Sequence, residues 1–330
     1  MAMNTAMDTA MSRPALVALR GLGLGDLLTA VPALRALRRA HPRHRITLAA
    51  PSSLRPLLPL IGAVDELVHT SGTGPVSLDG ADIAVNLHGS GPQSTTALRR
   101  IRPGTLLTHA HPGLPGVEGP DWRADLHEVH RWCAMLHWYG IAADPDDLTL
   151  DLRAERRDAT VIVHPGASSA ARCWPAARYA ELAAELSAAG HRVLITGSVA
   201  ERVLARQIAD LAGLPGDRVL AGRTGLGELA VLVARARMVI SGDTGVAHLA
   251  VAMETPSVVI CGPVSPALWG PPPGRERHVA LWAGRTGDPH ANGPDPGLLD
   301  IGVRQVLDAV CATLDGEPAR RPRSTDGVKT

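Results

Sequence analysis

Short apolar runs alternate with amphipathic stretches along most of this 330-residue chain, and this alternation constrains the fold more than any other feature. Apolar runs of about five residues, at 15–19, 46–50, 83–87 and 192–196, predict buried strands. Between them, segments with apolar residues three or four positions apart predict helices, the first over 26–40. Strands and helices in alternation indicate parallel sheets with helices on both faces.

The segment 141–158 is rich in Asp, Pro and Arg and interrupts the alternation, which then restarts. We therefore expect an N-terminal doubly wound α/β domain over 14–157 and a C-terminal one over 158–315. A polar lead-in over 1–13 and a Pro/Arg/Ser-rich tail over 316–330 are expected to be disordered. Ligands of such paired domains bind at the carboxyl ends of the strands, so the site is expected in a cleft between the domains.

Composition narrows the class of partner. A formal net charge of +1 and scarce aromatics (no Phe, two Tyr and six Trp) argue against nucleic acid. Four widely spaced cysteines without a CxxC pair indicate reduced thiols, not disulfides or a zinc site. No apolar run approaches the roughly 20 residues of a membrane-spanning helix. A cytoplasmic protein is expected.

The stretch Ser241-Gly242-Asp243-Thr244-Gly245-Val246-Ala247-His248 lies between a predicted strand over 236–240 and a predicted helix over 249–253. Such a turn binds anions, because unpaired backbone N–H groups and the positive end of the helix dipole converge there. Asp243 or Thr244 can cap the helix. His248 follows Thr244 by one helical turn and points to the same rim, although a hydrogen-bonded core histidine is the alternative. The pattern is typical of a site for a sugar-linked phosphate or diphosphate.

A glycine turn, Arg20-Gly21-Leu22-Gly23-Leu24-Gly25-Asp26, follows the first predicted strand. Its GxGxGD spacing, with no acid at the end of the second strand, argues against the dinucleotide site of a nicotinamide oxidoreductase. Asp26 keeps two interpretations. It is either the cap of the next helix or a general base at the carboxyl end of a strand.

Two further turns follow strands of the second domain. The loop from His164 to Pro175 carries Ser168 and Arg172, and Arg172 either contacts phosphate oxygens or faces solvent. Glu201 either accepts hydrogen bonds from ribose hydroxyls or is a first-turn acid favoured by the helix dipole. The remaining histidines show no HExxH or comparable pattern, so no metal is expected.

In this order, the turns resemble glycosyltransferase family 9, the ADP-heptose:lipopolysaccharide heptosyltransferases. The resemblance spans roughly residues 14–312 and rests on six segments. They are Gly25-Asp26-Leu27-Leu28-Thr29-Ala30-Val31-Pro32-Ala33-Leu34, His164-Pro165-Gly166 through Trp174-Pro175, Gly197-Ser198 with Glu201, Gly222-Arg223-Thr224-Gly225-Leu226-Gly227-Glu228-Leu229, Gly242-Asp243-Thr244-Gly245-Val246-Ala247-His248-Leu249-Ala250 and Cys261-Gly262-Pro263.

The resemblance implies a GT-B fold of two Rossmann-like domains and an inverting, metal-independent transfer without a cofactor. Asp26 matches the catalytic aspartate, which takes the proton of the acceptor hydroxyl. On the acceptor side it implies Gly25, Asn86 and His88; Asn86 follows the fourth strand, where many relatives carry an acid. Arg172 stands where the family usually has Lys. The residues implied for donor binding are Ser168, Arg172, Glu201, Thr224, Asp243, Thr244, Gly245 and His248.

The donor implied is ADP-heptose or another nucleotide sugar, and the acceptor is a glycan, a lipid-linked glycan or a small molecule. A lipid-linked acceptor would bring the protein to the inner face of the membrane by peripheral contact. Two other functions use the same donor site: a GT-B-like sugar-nucleotide epimerase or hydrolase, and a non-catalytic nucleotide-sugar-binding protein. Asp26 as a base distinguishes the transferase from the non-catalytic binder.

Overall fold

The computed structural model describes residues 13–152 and 157–316, which divide into two compact units. The first comprises 13–22, 30–123 and 132–145; the second comprises 23–29, 124–131 and 146–316. The predicted boundary at residue 157 stays a prediction. The predicted lead-in and tail lie outside the described residues except at their inner ends. Arg13 donates hydrogen bonds to the Arg43 and His44 carbonyls, and Gly316 follows the last helix with φ 77°.

The first unit is built on five parallel strands. They are β1 (Ala15–Leu19), β2 (Arg45–Ala50), β3 (Glu66–His69), β4 (Ala81–Asn86) and β5 (Pro103–Leu107). Their order in the sheet is β3-β2-β1-β4-β5. β1 is the central strand, and Leu16 pairs with Ile46 on one side and Ile83 on the other. Its side chains are almost fully buried, as expected for a parallel strand covered on both faces.

The single helix predicted over 26–40 is wrong, because the structure has two. Helix α1 (Leu24–Thr29) ends before Ala30, and helix α2 (Val31–Ala40) begins after it. Pro32 lies in the first turn of α2 and has no N–H to donate to the carbonyl four residues earlier, so one continuous helix is disfavoured. The helices that follow are α3 (Leu58–Ile61), α4 (Gln93–Arg99) and α5 (Glu128–Trp138). Both α1 and the first turn of α5 belong to the second unit.

The second unit contains another five-stranded parallel sheet. Its strands are β6 (Thr160–His164), β7 (Arg192–Ile195), β8 (Met238–Gly242), β9 (Ser257–Ile260) and β10 (His278–Leu281), in the order β10-β9-β8-β6-β7. The apolar pair at 219–220 predicts a short strand, but the structure forms only one bridge there, between Ile195 and Val219. The helices are α6 (Ala176–Ala188), α7 (Arg202–Leu211), α8 (Leu226–Arg235), α9 (Gly245–Ala252), α10 (Pro266–Trp269), α11 (Pro296–Leu299) and α12 (Val303–Asp315).

The register of this sheet brings the predicted turns together. His164 at the end of β6 pairs with Ser241 in β8, and Gly242 pairs with Ile260 in β9. The carboxyl ends of these strands are therefore neighbours, and the turns that leave them meet at one edge. None of the helices in 13–152 and 157–316 has the length and apolar character needed to cross a bilayer.

Candidate active site

One pocket of about 430 Å³ is lined by the turns of the second unit. Every residue that lines it belongs to that unit, including the segment around Asp26. The lining contains all eight residues implied for donor binding, together with Gly25 and Asp26, and we call this cavity the donor pocket. The full lining is Gly23, Leu24, Gly25, Asp26, His164, Ser168, Arg172, Gly197, Ser198, Glu201, Thr224, Gly225, Leu226, Leu229, Asp243, Thr244, Gly245, Val246, His248 and Trp269.

Two glycines allow α1 to pack directly on α9. A Cβ on Gly25 would lie 2.8 Å from Cδ2 of His248, and one on Gly245 would lie 2.8 Å from Cβ of Leu24. Both distances are shorter than a carbon–carbon contact allows, so side chains at these positions would push the helices apart. The close packing carries Asp26 to the wall of the donor pocket.

Asp26 does not occupy the capping position of its helix. Helix α1 begins at Leu24, so Asp26 is its third residue and not the residue before it. Asp26 therefore lies in the first turn of α1 and is not its N-cap residue, and both interpretations of its carboxylate stay predictions. The side chain is half-buried and lines the pocket beside His248, where it can meet a ligand.

Arg172 and Asp243 form an ion pair in the pocket, with 3.2 Å between Nη1 and Oδ2. Burial raises the pKa of Asp243, and the guanidinium of Arg172 opposes that rise. Nε of Arg172 is buried, and no hydrogen-bond acceptor reaches it among the described residues. Arg172 is thus held by the carboxylate on one side, and its side chain, which is 24% exposed, borders the pocket.

Helix α9 begins in the predicted turn, four residues earlier than the apolar pattern suggests. Thr244 is the residue before the helix, but its side chain makes no capping hydrogen bond in the described structure. The predicted hydroxyl cap is therefore wrong at Thr244. Thr244 and the first two residues of α9, Gly245 and Val246, line the pocket together, and the N-terminus of a helix is a position that favours anions.

His248 is held neutral in this setting. Burial lowers its pKa to about 4, although the nearby Asp26 carboxylate raises it in part. Its ring lies edge-on to the ring of Trp269, with 6.1 Å between the centroids. A neutral imidazole at pH 7 can accept a hydrogen bond from a sugar hydroxyl as well as donate one.

This shift makes stability depend on pH. In the unfolded chain, His248 has its ordinary pKa of 6.5, whereas in the folded protein its pKa is about 4. The free energy of unfolding is therefore expected to fall as the pH drops through this window, by about 2–3 kcal/mol from this group. Urea unfolding of wild type and His248→Gln at several pH values measures the effect. A variant whose pH dependence equals that of wild type would contradict it.

Glu201 is positioned by the turn it follows. Its Oε2 accepts a hydrogen bond of 2.6 Å from the backbone N–H of Ser198, and its carboxylate lies against Gly166. Any Cβ at position 166 would overlap the carboxylate. Nearby, Nδ1 of the buried His164 lies 2.9 Å from Oγ1 of Thr196, and burial lowers the pKa of this histidine.

Gly166→Ala is expected to displace the Glu201 carboxylate, because an added methyl group would occupy its place. The dissociation constant of an adenosine nucleotide is expected to rise about tenfold, as for the loss of one hydrogen bond to a charged group. Calorimetry measures the change, and Gly302→Ala is the matched control because a Cβ there meets open space and the residue lines neither pocket of the second unit described below. If both variants bound the nucleotide with the same affinity, the assignment of Glu201 to nucleotide binding would be contradicted.

Two residues assigned to the acceptor side lie in the first unit. The amide nitrogen of Asn86 is fully buried 3.0–3.1 Å from the hydroxyls of Ser94, Thr95 and Thr108. The half-buried His88 accepts a hydrogen bond from the backbone N–H of Gly21. The first arrangement supports the end of β4. An acceptor role for either residue stays a prediction.

Sequence reasoning missed part of the lining. Trp269 lies in the four-residue helix α10, and no motif near it points to a pocket. Leu226 and Leu229 supply apolar surface from the first turn of α8, inside a segment that the family resemblance includes. His164 and Ser198 lie in quoted turns without having been singled out. Both follow the carboxyl end of a strand, where ligands of such domains bind, so this rule would have predicted His164 and Ser198 as lining residues.

Metal ligands are the remaining question about the site. Within 13–152 and 157–316, no three His, Cys, Asp or Glu side chains are placed to hold a metal ion together. All four cysteines are free thiols. Independence from metal stays a prediction.

Sequence comparison relates the chain to known enzymes. Residues 124–293 match the family described as glycosyltransferase family 9 (heptosyltransferase). Lipopolysaccharide heptosyltransferase 2 of Escherichia coli (strain K12) is 26% identical over 351 residues, covering 90% of this chain and 97% of that protein.

Solved structures show the same architecture. The glycosyl transferase family 9 protein from Veillonella parvula DSM 2008 has a TM-score of 0.73 at 20% identity, covering 92% of this chain and 98% of that one. The E. coli ADP-heptose lps heptosyltransferase II has a TM-score of 0.71 at 22% identity, covering 92% and 99%. The predicted GT-B fold, with two parallel-sheet α/β units, is confirmed.

Proposed function

The chain belongs to glycosyltransferase family 9 (heptosyltransferase) and is a glycosyltransferase, and from this premise we propose that it transfers heptose from ADP-heptose to a glycan hydroxyl. The proposal rests on one observation: Asp26, Arg172 and the N-terminus of α9 line the same pocket. It contains a carboxylate that can take a proton and a cationic wall that can receive a diphosphate. Membership of a transferase family gives no support to the epimerase or the non-catalytic alternative.

In this proposal, the acceptor hydroxyl oxygen attacks the anomeric carbon of the heptose. The bond from that carbon to the diphosphate oxygen breaks, and the hydroxyl proton passes to the Asp26 carboxylate. Attack opposite to the leaving group inverts the anomeric configuration. Negative charge builds on the departing diphosphate, so groups that bind it more strongly as it leaves lower the barrier.

Arg172 and the α9 N-terminus supply that stabilisation in the proposed reaction. The Arg172 guanidinium borders the pocket and can donate charge-assisted hydrogen bonds to phosphate oxygens, and the positive end of the helix dipole favours the same negative charge. Asp243 keeps Arg172 in place at the cost of a buried negative charge near the phosphates. This set of groups could stabilise the leaving diphosphate without a metal ion.

The nucleotide end is assigned to the other side of the pocket. Glu201 can accept hydrogen bonds from ribose hydroxyls, and Thr224 with Leu226 and Leu229 offers a partly apolar wall for adenine. The E. coli relative is named a lipopolysaccharide heptosyltransferase, so we assign a lipopolysaccharide core glycan as the acceptor. A lipid-linked form of this acceptor would place the protein at the membrane face.

Calorimetry with ADP-, UDP- and GDP-linked sugars in EDTA tests the donor assignment. We expect ADP-heptose to bind at least about tenfold more tightly than the UDP- and GDP-linked sugars, with no loss of affinity in EDTA. Preference for a uridine or guanosine donor would overturn the assignment of adenine. Binding abolished by EDTA and restored by a divalent metal would overturn metal independence.

A further inference from the structure

A second pocket, of about 310 Å³, lies in the second unit and is lined by three arginines. We call it the arginine pocket: Arg202, Arg206 and Arg223, with Gly216, Val219 and Ala221. No carboxylate belongs to this lining. Its volume is at the lower end of the range for small-molecule sites, about 300–1,000 Å³.

The pocket has one fixed arginine. Nη2 of Arg202 donates to the Gly222 carbonyl at 2.9 Å, and Nε donates to the Ala221 carbonyl at 3.3 Å. A guanidinium has five N–H donors, so these bonds leave others for a ligand. The turn that carries Arg223 is thereby tied to helix α7.

The other two arginines approach from different elements. Arg206 follows Arg202 by four residues on α7 and so lies on the same helix face. Arg223 comes from the turn before α8. In the part of the chain that the structure describes, none of the three pairs with a carboxylate. Three like charges around one cavity raise the free energy of the folded protein, and a bound anion would relieve that repulsion.

The arginine pocket adjoins the donor pocket in sequence and in space. Glu201 and Thr224 line the donor pocket, and Arg202 and Arg223 are their direct chain neighbours. The two pockets have no lining residue in common. An anion in the arginine pocket would therefore be additional to the diphosphate assigned to Arg172.

We propose that the arginine pocket binds a second phosphate group, as free phosphate or as a phosphomonoester of a larger ligand. Guanidinium groups match phosphate oxygens in geometry and charge. Three guanidinium groups are better matched to a phosphate dianion than to a singly charged carboxylate. This inference goes beyond the proposed transfer reaction and does not depend on it.

Titration calorimetry of inorganic phosphate into the full chain, with saturating ADP present, tests the pocket. We expect phosphate to bind beside ADP, with an affinity that falls as salt is added. Arg206→Gln/Arg223→Gln is expected to raise the dissociation constant of phosphate at least about tenfold, since charge-assisted hydrogen bonds are lost. Arg202 is left unchanged because it supports the turn.

Arg192→Gln/Arg235→Gln is the matched control, because both are exposed arginines of the same unit outside both pockets. It is expected to leave phosphate affinity within about twofold of wild type, and circular dichroism checks that both double variants fold. Arg206→Gln alone, which changes no neighbour of the donor pocket, is expected to show part of the loss.

Two nucleotides distinguish the sources of the phosphate. If a nucleotide carries it, adenosine 2′,5′-bisphosphate binds more tightly than adenosine 5′-monophosphate, and Arg206→Gln/Arg223→Gln removes the gain. If it is free, only inorganic phosphate responds to the substitutions. Equal binding of both probes by wild type and this variant, or no binding of either, would overturn the proposal. ADP-heptose binding reports separately on the donor pocket.

Discussion

Asp26→Asn is expected to lower kcat by a factor of about 10²–10⁴, the usual contribution of a general base. The amide cannot take the proton of the acceptor hydroxyl, yet it fills the same space beside His248. Donor binding should therefore stay within about threefold of wild type. Initial rates with ADP-heptose and a deacylated lipopolysaccharide core oligosaccharide measure kcat, and calorimetry measures donor binding.

The split between kcat and donor affinity separates a base from a residue that only shapes the pocket. A base acts in the transfer step and not in donor binding, so Asp26→Asn should lower kcat without weakening the binding of ADP-heptose. Asp217→Asn, at an exposed carboxylate outside the pocket, is the matched control and should keep both rate and affinity. Normal turnover by Asp26→Asn would remove Asp26 from the reaction.

Arg172→Ala is expected to raise the dissociation constant of ADP-heptose by about 10²-fold, because the charge and its hydrogen bonds to the diphosphate are lost. It also leaves Asp243 buried without its partner, which should lower the free energy of unfolding by about 1–3 kcal/mol. The loss should be largest at neutral pH and shrink on acidification, since protonation removes the unpaired charge. Calorimetry and urea unfolding measure the two effects.

A second substitution separates binding from stability. Arg172→Ala/Asp243→Asn removes the unpaired charge, so stability should recover while donor affinity stays low. Arg172→Lys keeps the charge but offers one nitrogen in place of a planar fork, and intermediate affinity is expected. Wild-type affinity in Arg172→Ala would contradict the assignment of the diphosphate. Continued loss of stability in the double variant would contradict the ion pair as its cause.

Much of the second unit could be predicted from periodicity. The pattern predicts a strand over 161–164 and helices over 175–189, 201–212 and 226–235. Helix α8 occupies the last of these ranges, and β6 is one residue longer than predicted. Helices α6 and α7 are each one residue shorter at both ends than predicted. In these segments burial, propensity and turn residues favour the same structure. The apolar run at 249–253 was less informative, because α9 begins at Gly245 in a segment of small and polar residues.

Other elements depend on contacts that periodicity does not encode. Strand β10 is only partly buried at the edge of its sheet, and its sequence, His278 to Leu281, carries a weak apolar signal. Trp269 reaches the pocket from a four-residue helix. The break at Ala30 had a visible cause in Pro32, but the strong apolar spacing on both sides outweighed it in the prediction.

The sequence by itself determined the parallel α/β class, the four turns of the donor pocket and the family, because these depend on local order along the chain. Only the tertiary structure decided that α1 belongs with the second unit. Gly25 and Gly245 permit that close helix contact, which has no signature in either segment alone. The Arg172–Asp243 pair and the arginine pocket are likewise tertiary. They join charges distant in sequence, and only the folded chain brings them within electrostatic reach.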